Sequence, residues 1–136
     1  MKLSVVITTY NAEEWLRKVL YGYSVQTDLD FELVIADDGS SVATKKVLKE
    51  FSSKFKYPII HVWQPDEGFQ KCKILNKAIL KTNSDYLIFT DGDCIPRKDF
   101  VEKHLKNKEK GYFLSGGYFK LPMFTSNSIS PLEIEN

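Results

Sequence analysis

Three short runs of apolar and β-branched residues, Leu3–Thr8, Phe31–Ala36 and Tyr86–Thr90, each stop abruptly on a cluster of polar side chains. The first of these suits a strand buried on both faces, as in a parallel sheet covered by helices. Between them the period changes from two to about 3.6. Trp15, Leu16, Val19, Leu20 and Tyr23 recur at helical spacing, with Asn11 and Glu14 placed as a capping pair. Ser40 or Ser41 is expected to cap a second helix whose inner face holds Val47, Leu48 and Phe51. Ile59–Trp63 reads as a further strand, followed by a loop with Pro65 and Gly68 and a helix through Ile74, Leu75, Ala78 and Ile79. After Tyr86–Thr90 the pattern predicts a helix at Phe100, Val101 and Leu105, then a strand at Tyr112–Leu114. Alternating strands and helices imply βαβ crossovers. The expected fold class is therefore α/β, a three-layer, mostly parallel sheet built of Rossmann-like units.

Composition narrows the function classes. With 136 residues the chain is expected to form a single domain, 1–136, with its patterned core at 3–117 and a tail, 118–136, that has no clear period. The formal charge is +1, which gives no basis for a nucleic-acid partner. No apolar run approaches the roughly 18 residues of a transmembrane segment. Met1-Lys2-Leu3-Ser4 leads directly into the first strand without a signal-peptide pattern, so the expected location is cytoplasmic, with peripheral membrane association left open. Cys72 and Cys94 form no CxxC pair and are expected to be reduced.

The placement of the polar clusters carries the chemistry. In an open parallel sheet, ligands bind beyond the carboxyl ends of the strands. The three runs end in Thr8-Thr9-Tyr10-Asn11, Asp37-Asp38-Gly39-Ser40 and Asp91-Gly92-Asp93, which a parallel sheet would gather on one edge. Carboxylates brought together repel one another unless a cation or a hydrogen-bonding ligand lies among them. Asp91-Gly92-Asp93 alone is an ordinary turn sequence. Directly after the apolar run Tyr86–Thr90 it becomes a candidate site for Mn²⁺ or Mg²⁺, with Gly92 leaving room for a diphosphate. Asp37 and Asp38 read either as acids favoured at a helix N-terminus or as acceptors for a base edge. Tyr10 is either a core aromatic or a stacking platform. Lys71 and Lys73 could each reach a phosphate near the start of their helix, or remain solvated. His61 and His104 have no ligand-like spacing.

In order and spacing, Val5-Val6-Ile7-Thr8-Thr9-Tyr10-Asn11, Ala36-Asp37-Asp38-Gly39-Ser40 and Asp91-Gly92-Asp93 resemble the family 2 glycosyltransferases over residues 3 to about 117. Gly68-Phe69-Gln70-Lys71-Cys72-Lys73-Ile74-Leu75-Asn76 is similar to a segment of β-1,4-galactosyltransferases and chondroitin-polymerase-like enzymes. Ser115-Gly116-Gly117 matches a glycine pair those enzymes carry after the metal motif. The resemblance implies a GT-A-like fold and inverting, metal-dependent transfer of a sugar from a nucleotide donor, of uridine type, to a saccharide or lipid-linked acceptor in polysaccharide biosynthesis. Carried over by position, Thr8, Tyr10 and Asp38 would hold the base, and Lys71 the diphosphate. Asp91 would lie near ribose and metal, and Asp93 would be the direct ligand of a DXD motif. Lys71 stands where the galactosyltransferases have arginine, which loses bidentate geometry. Leu75 stands where many members have arginine. No counterpart of the family's general base follows Gly117, so the chain by itself is expected to bind donor with little transfer. A non-catalytic nucleotide-binding or protein-interaction module is the alternative. A nucleotidyltransferase is disfavoured, because Thr9-Tyr10-Asn11-Ala12 is neither glycine-rich nor basic.

Overall fold

The computed structural model describes residues 1–135. Four strands, β1 (Leu3–Thr9), β2 (Phe31–Asp37), β3 (Ile60–Trp63) and β4 (Leu87–Asp91), form one sheet in the order β3-β2-β1-β4. All three pairings are parallel, with Leu3 opposite Phe31, Ser4 opposite Leu87 and Val34 opposite Ile60. The α/β three-layer architecture is thus as the sequence pattern implies.

Alternation along the two central strands splits the core between the sheet faces. Leu3, Val5 and Ile7 of β1 and Phe31, Leu33 and Ile35 of β2 point to one side. There they meet α1 (Glu13–Ser24) through Leu16, Val19, Leu20 and Tyr23, α2 (Val42–Phe51) through Val47, Leu48 and Phe51, and Val101 of α4 (Phe100–Asn107). Val6, Val34 and Ala36 point to the other side, where Ile74 and Ala78 of α3 (Lys71–Ile79) cover them. Each fully buried aliphatic side chain contributes roughly 1.5–3 kcal/mol of transfer free energy. The central strands therefore anchor the fold. The edge strands β3 and β4 are only partly covered, and Phe89 is 52% exposed.

The chain moves outward from β1 to β2 and β3, then returns under the sheet through α3 to β4 on the far side of β1. The β1/β4 boundary is where strand order reverses, and a crevice opens at such a point beyond the strand carboxyl ends.

Three local expectations need correction. Asn11 does not cap α1; Ala12 occupies that position and no side chain closes it. Asn11 instead adopts a left-handed φ of 43°, which asparagine tolerates, and accepts a hydrogen bond from the Ser41 N–H at 2.8 Å. Its own N–H donates to Ser40 Oγ at 2.9 Å, so Asn11 and Ser40 stitch the β1 and β2 ends together. Ser41 sits at the start of α2 without a side-chain cap bond. Tyr112–Leu114 is not a strand: its side chains are exposed, and residues 112–122 belong to neither helix nor sheet. A strand needs a neighbour to satisfy its backbone, and among the described residues β4 pairs only with β1. The tail forms two short helices, α5 (Met123–Ser128) and α6 (Pro131–Glu135). Ile134 is buried, and Lys18 of α1 donates to the carbonyls of Ser126 and Asn127 at 2.6 and 3.2 Å. No helix among the described residues is long and apolar enough to cross a membrane.

Candidate nucleotide-sugar site

A cleft of about 380 Å³ opens at the β1/β4 reversal. Thr8, Thr9 and Tyr10 line it from the end of β1, Asp38 from the end of β2, Asp91, Gly92 and Asp93 from the end of β4, and Asp66, Gly68, Phe69 and Lys71 from the approach to α3. Asp38 and Asp93 therefore share one edge of the sheet. Trp15 supplies an apolar wall from α1, so part of the expected helix face looks into the cleft rather than into the core.

Two backbone constraints shape this cleft. A Cβ on Gly92 would lie 2.7 Å from the Thr8 carbonyl oxygen, which also accepts the Gly92 N–H at 2.7 Å. Only glycine lets the acidic turn close onto β1, a reason independent of any ligand. Gly39 adopts φ +99°, and a Cβ there would meet the Asp66 backbone at 2.6 Å. This close approach brings Asp66 beside the end of β2.

The acidic groups are held in different ways. Asp37 is fully buried: its Oδ1 accepts the Ser40 N–H at 2.9 Å and its Oδ2 lies 2.8 Å from His61 Nε2. Burial pushes its carboxyl up, but the hydrogen bonds from His61 and Ser40 outweigh this and leave it below the usual carboxylate value. Asp37 is thus a structural acid, and His61 is its partner. Asp38 is 7% exposed; its Oδ1 accepts from Gln64 Nε2 at 2.7 Å and its Oδ2 from the Gln70 N–H at 2.8 Å. Asp91 is half-exposed, and its Oδ1 accepts from both the Lys71 ammonium at 2.8 Å and the Thr8 hydroxyl at 2.9 Å. The hydrogen bond from Lys71, more than that from Thr8, holds this carboxyl below its usual range. A lysine cation therefore offsets part of the repulsion expected at this edge. Asp93 is exposed, and among the described residues its carboxylate accepts only from the Cys94 thiol, at 3.6 Å.

Ligand atoms of Asp91, Asp93 and Cys94 all lie within 4.8 Å of one another. Burial, then the nearby Asp93 and Asp91 charges, push the Cys94 thiol up, which favours its protonated form. What the turn offers is hard oxygen, the donor chemistry that Mg²⁺ and Mn²⁺ prefer. The residues present fit such an ion.

Tyr10 is 49% exposed and donates to Asp66 Oδ2 at 2.6 Å; this bond raises the phenol above its ordinary pKa. Of the two readings of Tyr10, the cleft position excludes a core role. Lys73 does not line the cleft; it lies 3.6 Å from Glu67 on the outer surface. His104 meets the Tyr86 hydroxyl at 3.0 Å, and both cysteines are free.

Sequence reasoning missed Asp66 and Gln64, and gave Thr9 of the β1-end cluster no role of its own. Thr9 Oγ1 and Gln64 Oε1 are buried side-chain atoms without a hydrogen-bond partner among the described residues. A buried group left unpaired costs about 1–3 kcal/mol. Nothing in the spacing of Gln64 or Asp66 marks them; they matter because Gly39 and α3 fold back onto β2.

Against this geometry, the family model described as glycosyl transferase family 2 matches residues 4–127. An uncharacterized glycosyltransferase, YfnE of Bacillus subtilis (strain 168), is 34% identical over 110 residues, 80% of this chain and 27% of that protein. The chondroitin synthase of Escherichia coli is 32% identical over 105 residues, 76% of this chain and 15% of that protein. The structure of S. aureus TarS 1-349 in complex with UDP-GlcNAc superposes with a TM-score of 0.67 at 24% identity, covering 78% of this chain and 30% of that one. The chain thus spans less than a third of the length of these relatives.

Proposed function

The chain belongs to glycosyl transferase family 2, and on that premise we propose that its cleft binds a nucleoside-diphosphate sugar, of uridine type, for inverting transfer to the hydroxyl of a saccharide or lipid-linked acceptor. The observation that carries this reading is the convergence of Thr8, Tyr10, Asp38, Lys71, Asp91 and Asp93 at the strand-order reversal. Asp38, fixed at both oxygens, presents its remaining lone pairs to a ring N–H of the base. Tyr10, with its hydroxyl tied to Asp66, offers a ring of fixed orientation for the base to stack on. Thr8 orients Asp91 toward the ribose. Lys71 is placed to exchange its Asp91 partner for a diphosphate oxygen, as a point charge rather than a fork.

Asp93, with Asp91 beside it, would hold a divalent cation, Mn²⁺ or Mg²⁺. Such an ion, when bound, supplies charge neutralisation on the departing nucleoside diphosphate. Trp15 and Phe69 wall the cleft with apolar surface, which strengthens each of these polar contacts by excluding water. General-base catalysis, worth about 10²–10⁴-fold, is assigned to no residue of this chain.

Calorimetric titration with UDP, with and without Mn²⁺, tests the reading. Binding is expected to require the ion and to weaken by about a hundredfold in Asp93→Ala, roughly 2.7 kcal/mol, while circular dichroism stays unchanged. Nucleotide binding indifferent to both Mn²⁺ and Asp93 would sink the donor-site reading. No binding of any nucleotide would leave a protein-interaction module on the same scaffold.

A further inference from the structure

We propose that Gln64 is the positioning residue through which the cleft selects its base; the inference deepens the donor-site reading and rests on it. Gln64 lies one residue beyond β3 and is 2% exposed. Its Nε2 donates to Asp38 Oδ1 at 2.7 Å and to the Gln70 carbonyl at 3.3 Å, and its own N–H donates to the Asp37 carbonyl at 3.3 Å. Both side-chain partners are acceptors, so the amide can present only its NH₂ to them. The amide carbonyl is then left buried without a partner. A polar group kept in that state needs a reason, and the bond to Asp38 supplies one.

The consequence is a carboxylate with no freedom to turn. The Asp38 backbone N–H is tied to the Thr9 carbonyl at 3.1 Å, its Oδ2 to the start of α3, and its Oδ1 to Gln64. Three segments of the chain thus fix one acceptor. An acceptor that can rotate accommodates either a ring N–H or a ring lone pair at the facing position. A fixed one rewards the N–H of uracil and repels the N3 lone pair of cytosine. Gln64 itself touches no base; it acts through Asp38. Through Gln70 it also ties this acceptor to the first turn of the helix that carries Lys71.

The test compares UDP and CDP in calorimetric titrations with Mn²⁺. The proteins are the wild type, Gln64→Met, Asp38→Ala and the double variant. Methionine fills the same volume and removes both the NH₂ and the orphaned carbonyl. In Gln64→Met the UDP-over-CDP preference is expected to fall about tenfold, the worth of one hydrogen bond at about 1.4 kcal/mol per decade, with CDP affinity little changed. In the Asp38→Ala background the same substitution is expected to leave the preference unmoved, because Gln64 has no side-chain acceptor left to position. Equal losses for UDP and CDP, or an undiminished preference in Gln64→Met, overturn the inference while the donor site stands. A wild type that binds both nucleotides alike overturns the base-recognition reading, and this inference with it. Should Gln64→Met fail to fold, Gln64→Asn carries the same comparison, its amide being one methylene too short to reach Asp38.

Discussion

The two ends of the sheet handle charge in opposite ways. At the amino end, polar groups close upon one another. Glu32, 2% exposed, accepts from Ser4 Oγ at 2.5 Å and from the Asn83 N–H and Nδ2 at 2.7 and 3.0 Å. Asp30 accepts from Tyr57 and Lys56 at 2.6 and 3.0 Å and lies 3.3 Å from the chain's amino terminus; the Tyr57 bond first, then Lys56, hold its carboxyl far below the usual range. At the carboxyl end, Asp91 and Asp93 face an open cleft, and the buried orphan atoms Thr9 Oγ1 and Gln64 Oε1 lie there among the described residues. Acids that the fold satisfies internally hold the strands in place. Acids left open are available to a ligand. The difference separates Glu32 and Asp30 from Asp91 and Asp93; Asp38 shares both traits, bonded at both oxygens yet lining the cleft.

Breaking the amino end should cost most in stability. Glu32→Ala removes the acceptor for three hydrogen bonds and leaves Ser4 buried without it. A loss of about 3 kcal/mol is expected in urea unfolding, with UDP affinity of the folded protein unchanged. If the variant keeps its stability but loses UDP, the division between the two ends is wrong.

Much of this contrast is legible in the sequence, and the remainder has identifiable physical causes. β1 and β2 stand out because strands buried on both faces must be continuously apolar, β4 reads as apolar although it is an edge strand, and the acids follow where the chain leaves the sheet. Thr8, Asp38, Asp91 and Asp93 could therefore be found from order alone. The Asn11 cap failed because the residue serves the neighbouring strand end, a choice that β1–β2 pairing makes and local propensity does not. Tyr112–Leu114 has strand composition but no pairing partner, and composition cannot supply one. Gln64 and Asp66 gain their contacts only when the loop after β3 returns to Gly39. Single-residue spacing holds no trace of that.

A sharper comparison comes from acid, because Asp37 belongs to the closed class although it lies at the open end. Its folded pKa is below the ordinary 3.8. Its stabilisation is therefore complete above that value and is lost as pH falls through the lower, folded one. Asp28 and Asp30 contribute acid sensitivity of the same sign, so the wild-type curve alone does not isolate Asp37. Asp37→Asn should flatten the acid limb between pH 5 and the acid end of the transition, measured by urea unfolding at successive pH values. A steeper limb in the variant would reverse the assignment.

The smallest expected change in stability belongs to Lys71→Met, and its smallness is what makes it informative. The Lys71–Asp91 pair is short, at 2.8 Å, yet its side chains are 40% and 54% exposed. Exposed pairs of this kind contribute about 0–1 kcal/mol, because solvent screens the attraction and two long side chains lose freedom to make it. Urea unfolding of Lys71→Met is expected to stay within about 0.5 kcal/mol of the wild type, in contrast to Glu32→Ala at the opposite end. Asp91 would lose a partner and gain water in its place, since nothing but the cleft lies in front of it. A destabilisation approaching that of Glu32→Ala would move the Lys71–Asp91 pair into the closed class, leaving Asp93 as the open carboxylate of the turn.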